Sequence, residues 1–481
     1  MERKSVWNDR DYFERRPPLE GDRTTDVLVI GAGAAGLLTA LRLTQSGREV
    51  TLVDAGRTCG GATNNTTAKI TAQHGLIYTR LKKQFGARAA RAYAALNSRA
   101  IGEYESLVQS RGIDCGFERL ANFVYSLDDE RILREETLAA AEAGLDVHFV
   151  RETGLPFETV GAVKTENQAQ FHPLRFFSAV ARDLTIFENT RVTDFREGEA
   201  CTPGGRIRAR QIVFAGHYPF LNRPGYYFMR QHQERSHVLV LEGAQLPDGM
   251  FIDEKGGGLS LRRAGRYVLL GGANHRTGEP GGGYEWLAEQ AQKYFPNCNI
   301  IDKFSNQDCM PIDGLPYIGR YSSRWERVYV ATGFQKWGMT TAMAAADILA
   351  ALIENRPCPE AELFTPARGP SRGVGNLLRD GGKFVKGIAV EHFGGASHTV
   401  EDLAPGQARR VKLDGRRLGV YRSETGELFA VETRCPHLGC SLEWNPDERS
   451  WDCPCHGSRF DYRGRRLDGP AEQGAAKKDH L

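Results

Sequence analysis

Asp26-Val-Leu-Val-Ile-Gly-Ala-Gly-Ala-Ala-Gly36 decides the fold of the first two-thirds of this chain. Residues 26–30 are apolar on both faces, the pattern of a strand buried inside a parallel sheet. Three glycines follow at positions 31, 33 and 36. Gly31 permits a tight turn out of the strand, Gly33 lets the backbone approach a pyrophosphate, and Gly36 lets the next helix pack closely on the sheet. That helix is expected over Ala34–Ser46, with Leu37, Leu38, Leu41 and Leu43 on one side and Gly47 as its stop. A second strand, Glu49–Ala55, carries Asp54 at the offset of an acid that binds ribose hydroxyls. A lone glycine motif is weak. Here strand, loop, helix, strand and acid stand in order, with the helix N-terminus offering free N–H groups to phosphate.

Farther along, strand-like runs occur at His237–Leu241, Tyr267–Leu270 and Arg327–Ala331, and an Ala-rich helix is expected over Thr340–Ile353. Composition shifts to Gly, Arg and Pro between about Pro366 and Glu391, which marks a linker. The basic stretch from Arg368 to Lys386 reads as solvated linker. After Phe393 come short strand-like pieces separated by turns, the pattern of a small β domain. The division is therefore an irregular arm (1–25), an α/β dinucleotide-binding unit with an inserted α+β part (26–365), a linker (366–392) and an all-β tail domain (393–481). The charged stretch Glu472–Leu481 leaves a final strand in doubt.

The net charge of +3 over 481 residues implies no strongly basic face, so nucleic acid is not an expected partner. No apolar run approaches the roughly 20 residues of a membrane helix. The start of the chain is charged rather than signal-like, so the cytoplasm is the default compartment.

Four of the ten cysteines fall between positions 435 and 455. Cys435-Pro-His-Leu-Gly-Cys440 and Cys453-Pro-Cys-His-Gly-Ser458 each offer one sulfur and one nitrogen. A zinc site is the rival reading, but zinc loops favour C-x₂₋₄-C or H-x₃₋₅-H spacing, and a C-x-H pair is too short for that habit.

The two loops resemble those of Rieske proteins, over roughly residues 393–471 and including Asp468-Gly-Pro-Ala471. The resemblance implies a [2Fe–2S] cluster with Cys435 and Cys453 on one iron and His437 and His456 on the other. In the respiratory type, the positions of Cys440 and Cys455 form a disulfide; the other reading is two free thiols, reasonable in a reducing compartment. Ser458 matches a serine that hydrogen-bonds a cluster sulfur. Phe460 departs from the tyrosine of high-potential members, so one such bond is missing.

The N-terminal part resembles the D-amino-acid, glycine and sarcosine oxidase superfamily. The resemblance rests on Val50-Thr-Leu-Val-Asp-Ala-Gly-Arg57, Gly60-Gly-Ala-Thr63, Met310-Pro-Ile-Asp-Gly-Leu-Pro-Tyr-Ile-Gly319 and Ala331-Thr-Gly-Phe-Gln-Lys-Trp-Gly-Met-Thr340. It implies a glutathione-reductase-type FAD fold. Beside the three glycines and Asp54, it implies FAD contacts at Ala35, Arg57, Ala62, Thr63, Val192 (backbone to adenine), Gly333, Gly338, Met339 and Thr340. It also implies oxidation of a C–N bond in an amine or amino acid. A flavin joined to a one-electron cluster suggests electrons leaving singly, to a protein carrier. The alternative is a relay module without an organic substrate of its own. A Rieske oxygenase would need a two-His, one-carboxylate iron site, and no such trio stands out; nor does any motif support a flavin monooxygenase. No catalytic side chain is singled out. His74, His275 and Lys336 lie in flavin-adjacent stretches by resemblance, and Arg262, Arg263 and Arg276 are candidates for a substrate carboxylate by type alone.

Overall fold

The computed structural model describes residues 5–8, 10–280, 283–369, 382, 400–413 and 415–478. The linker assigned to 366–392 and the start of the tail domain at Phe393 fall largely outside them.

The opening motif folds as strand β1 (Arg23–Ile30), helix α1 (Ala34–Gln45) and strand β2 (Val50–Val53). Gly47 ends the helix at φ +84°, in the left-handed region that glycine tolerates. β1 begins three residues earlier than the hydrophobic run suggests, because Arg23–Thr25 pair with Ile207–Ala209 of the crossover strand Gly205–Phe214. The stretch read as an arm is accordingly part of the sheet at its end, and Trp7 and Leu19 within it are buried. Strand order in this first sheet is Tyr317–Arg320, Val328–Thr332, Gly205–Phe214, β1, β2, Thr185–Phe187, with all neighbours parallel except the first pair. The fully buried α1 face packs against helix Gly338–Ile353, nearly all of whose side chains are buried. That helix starts two residues earlier than expected, which brings Gly338 and Met339 into its first turn.

The inserted part is a nine-stranded sheet. Its longest strands, Gln231–Glu242 and Asn299–Pro311, pair antiparallel along their whole length. The 25-residue helix Ala87–Arg111 packs against helix Gly338–Ile353. Arg368, read as solvated linker, is instead half-buried and held in place: its guanidinium clasps Asp313 at 2.6 and 3.0 Å and caps the carbonyls of Pro316 and Phe364. The other basic residues of that stretch lie outside the described residues.

The tail domain is two four-stranded antiparallel sheets. The doubted last strand forms at Lys477–Lys478, pairing with Ala430–Val431. This domain is docked on the nine-stranded sheet through a buried ion network. Arg235 of the sheet pairs with Glu448 of the tail domain, which also holds Arg459 at 2.6 Å; Arg459 in turn holds Asp452 at 3.1 Å. Every one of these side chains is under a tenth exposed. Burial alone would push the Glu448 carboxyl up, but Arg459 and Arg235 outweigh it and hold it well below the carboxylate range. A depressed carboxylate contributes stability that is present above its unfolded pKa, roughly 4.3, and is lost as pH falls through the folded value. Glu448→Ala strands Arg235 without its carboxylate and should destabilise the docked state by about 3–5 kcal/mol. Thermal unfolding at pH 7 checks this, and the wild-type advantage should shrink on acidification below about pH 4.

Candidate functional site

A cavity of about 630 Å³ opens where α1 begins. Gly31, Gly33, Ala35 and Asp54 line its near side, Ala62 and Thr63 one flank, and Gly333, Gly338 and Met339 another. The glycines serve different constraints. A side chain on Gly31 (φ +110°) would lie 2.7 Å from the crossover backbone at Ala215–Gly216. One on Gly36 would lie 1.8 Å from the Gly31 carbonyl, so Gly36 is a packing residue and does not face the cavity. At Gly33 the nearest atom is Thr63 Oγ1 at 3.3 Å, and the rest of that space is the cavity itself. The α1 N-terminus has no cap from its own chain segment; Thr63 Oγ1 accepts the Ala34 N–H at 3.0 Å. A helix N-terminus whose N-cap is a glycine, above a glycine cradle, fits a pyrophosphate. Asp54 accepts N–H bonds from Ala32 and Gly56 at 2.8 Å each. Burial pushes its carboxyl up against those bonds.

Two of the expected side-chain contacts point elsewhere. Arg57 is held by Glu188 at 3.1 Å and by Asp11, off the cavity. Thr340, two residues after Gly338, donates to the Thr71 carbonyl at 3.0 Å. Val192, expected to act through its backbone, packs its side chain into the core beneath the sheet, and its neighbour Arg191 lines the cavity.

The far wall is the surprise for a sequence reader: Arg235, Ser305, Glu448, Arg459, Arg466 and Asp468 line it. The tail domain thus closes the dinucleotide cavity.

In that domain the two cysteine loops are built alike. Cys435 N–H donates to the Cys440 carbonyl and Gly439 N–H to the Cys435 carbonyl; Cys453 to Ser458 and Gly457 to Cys453 repeat the pattern, all at 2.8–3.0 Å. Gly439 and Gly457 take φ of +83° and +81° to close them. The Cys435 and Cys453 thiols hydrogen-bond to each other, which holds Cys435 below its ordinary value and Cys453 well above. The His437 and His456 rings meet edge to face at 4.9 Å. His437 Nδ1 is buried with no hydrogen-bond partner, while Nε2 bonds Asn222 Oδ1 at 2.9 Å. Paired thiols, a buried nitrogen lacking a partner and backbone N–H groups aimed at both sulfurs suit a two-iron cluster with two sulfur and two nitrogen ligands. A disulfide joins Cys440 to Cys455. Ser458 reaches Cys435 and accepts the Ala471 N–H at 3.1 Å; Phe460 is wholly buried among the loop cysteines.

The inserted sheet grips the second loop by its backbone. Gln233 and Gln307 donate to the His456 and Gly457 carbonyls at 2.9 Å each. Arg276 donates to Pro454 and Cys455 carbonyls at 3.1 and 3.0 Å. Phe228 sets its ring edge against both histidines.

Residues 26–352 match the family model for FAD dependent oxidoreductases, and residues 396–477 match that of the Rieske [2Fe-2S] domain. The chain belongs to the FAD-dependent oxidoreductase family and carries a C-terminal Rieske domain. It is 33% identical to YhfW of Bacillus subtilis (strain 168), named as a Rieske 2Fe-2S iron-sulfur protein, across 97% of this chain and 96% of that one. Glycine oxidase from Geobacillus kaustophilus shares the fold at TM-score 0.59 and 19% identity, over 72% of this chain and 99% of that one. L-amino acid deaminase from Proteus vulgaris does so at 0.61 and 15%, over 74% and 100%. The cofactors are thus FAD and a [2Fe–2S] cluster, and no helix among the described residues is long and apolar enough to cross a membrane.

Among the residues singled out by type, the structure separates structural from cavity-facing ones. His74 is buried between Tyr93 and the Thr71 carbonyl, and burial brings its pKa to about 3. His275 bonds its own strand at the Ala273 carbonyl. Arg262 caps the Thr67 and Ala68 carbonyls, Arg263 pairs with exposed Asp248, and Arg276 holds the Rieske loop. Lys336 does face the cavity, between Glu234 (3.3 Å) and Asp308 (3.5 Å).

Two outcomes follow. His437→Ala or His456→Ala should abolish the cluster's EPR signal in the reduced protein while flavin absorbance stays, because the flavin cradle draws on other elements. Gly33→Val should remove FAD from the purified protein, since its side chain would fill the cradle above α1; normal flavin content would place the pyrophosphate elsewhere.

Proposed function

We propose that this oxidoreductase oxidises a small amine or amino acid at a second cavity beside the FAD cleft and releases the electrons one at a time through its Rieske domain. The observation that carries the reading is a shared wall. Asn306, Asp308, Lys336, Gly338 and Met339 line both the large cavity and a second one of about 190 Å³. That volume lies below the roughly 300–1,000 Å³ usual for drug-sized ligands, so it selects a small molecule.

Its chemistry is that of a charged guest. Lys69 lines the second cavity, is nine-tenths buried, and donates to the Phe251 carbonyl at 2.8 Å and to Ser260. It has no carboxylate partner among the described residues. Burial, with Arg262 nearby, lowers its pKa to about 7. A buried ammonium without a counter-ion is costly, and an anionic ligand group relieves that cost. Asp308, on the same wall, has its carboxyl pushed up by burial. Glu234 is also opposed by burial, but His232 and Lys336 outweigh it and bring its pKa to about 2. Lys69 can hold a carboxylate while the acidic side orients an amine. FAD supplies a two-electron acceptor and the cluster a one-electron carrier; the chain's own residues bind, orient and exclude water.

Two measurements test this. Titrating the oxidised protein anaerobically with amino acids and N-alkyl amines should bleach the flavin absorbance and raise the reduced-cluster EPR signal together. If no compound bleaches the flavin while reduced carrier proteins do, the chain is a relay without an organic substrate. Lys69→Met should raise KM for an anionic substrate about tenfold, equivalent to ~1.4 kcal/mol, with kcat changed less. In the wild type KM should rise as pH climbs through about 7, where Lys69 loses its charge; in the variant that dependence should flatten.

A further inference from the structure

Tyr218 is nine-tenths buried, and its hydroxyl has no hydrogen-bond partner. A buried hydroxyl left unpaired costs on the order of 1–3 kcal/mol, so its position asks for a partner that protein atoms do not supply. It stands directly after Gly216 and His217, which line the FAD cleft, and at the end of the crossover strand Gly205–Phe214. Its own side chain does not line that cleft. Its titratable neighbours are Cys309, Tyr321, Cys453 and Arg276. One of these, Cys453, is the second cluster loop's leading cysteine, and another, Arg276 of the inserted sheet, holds the carbonyls of Pro454 and Cys455 beside it. The contact between the domains is tight at this point. A side chain on Gly278 would lie 2.5 Å from Pro454 N and 2.8 Å from the Cys453 carbonyl carbon. Cys309 donates its thiol to the His217 carbonyl at 3.6 Å, which ties the Tyr218 loop to strand Asn299–Pro311.

Within the Rieske domain, Ser458 provides one hydroxyl to the cysteine loops, and Phe460 provides none. We propose that Tyr218 acts as the flavin domain's donor to the iron–sulfur cluster, its hydroxyl reaching a cluster sulfur across the domain interface and making a bond that Phe460 cannot. A phenol is protonated at neutral pH, so this hydroxyl can donate there. A hydrogen bond to sulfur stabilises the more negative, reduced cluster and raises its potential. The flavin domain would thereby set the potential of the centre that accepts its electrons, and only while the two domains stay docked. Tyr218 is a positioning and tuning residue here, and the inference rests on the Rieske ligand set, independently of which substrate the flavin oxidises.

The test is an EPR-monitored redox titration of the full-length holoprotein, with the flavin followed by absorbance in the same sample. Tyr218→Phe should lower the cluster potential by an amount equivalent to roughly a tenfold shift in the oxidised-to-reduced ratio, about 59 mV for one electron, and leave the flavin potential in place. Tyr218→Phe/Phe460→Tyr should recover part of that loss from within the Rieske domain. An unchanged cluster potential in Tyr218→Phe overturns the proposal, as does a shift confined to the flavin. If Tyr218→Phe loads no cluster, the comparison moves to Phe460→Tyr against the double variant, whose potential should again be the lower. Equality there overturns the proposal, and so does failure of the double variant to load a cluster, because a tuning contact is not needed for assembly.

Discussion

The grip of the inserted sheet on the backbone of the loop from Cys453 to Ser458 is the contact on which the rest of the molecule's logic depends. Gln233, Gln307 and Arg276 spend side-chain donors on main-chain carbonyls of a loop in another domain. Carbonyls so used are satisfied whatever side chains the loop carries, and the loop is fixed in position and orientation rather than merely attracted. The ion network through Arg235, Glu448 and Arg459 extends the same contact at the level of charge. Because its members are buried, loss of one partner is costly, and that makes the docked arrangement specific.

The consequence is a shared cavity. In a flavin fold taken alone, the dinucleotide cleft would be bounded by the glycine loop, by helix Gly338–Ile353 and by the inserted sheet. Here Glu448, Arg459, Arg466 and Asp468 of the Rieske domain form one of its walls. The histidine side of the cluster loops is turned toward Asn222 and Phe228 of the flavin domain, so the two redox sites belong to one continuous interior.

Charge placement divides the two cavities by task. The larger one meets phosphate with helix N–H groups and meets the cluster domain with paired ions. The smaller one keeps a buried lysine without a counter-ion and a carboxyl raised by burial, Asp308. Groups whose ionisation is poised by desolvation belong where a charged guest arrives or a proton moves. Asp308 and Lys336 border both spaces.

The amino-acid order by itself determined the elements whose physics is local. The strand–glycine–helix unit was legible because backbone conformation and close approach restrict those positions to glycine, and the cysteine–histidine loops because ligand chemistry requires those side chains at short spacing. The doubted last strand and the clasp of Arg368 were not legible, since each depends on a partner distant in the chain: Ala430–Val431 for one, Asp313 for the other. The same holds for Lys69, Asn222 and Tyr218, which sit in unremarkable stretches with no spacing signal. Arg57 illustrates the converse, a residue in the right segment whose charge was claimed by Glu188. Only the tertiary structure decided which face of the Rieske domain meets the flavin domain and which polar groups are left buried without partners, because desolvation and charge pairing are set by neighbours in space rather than by neighbours in sequence.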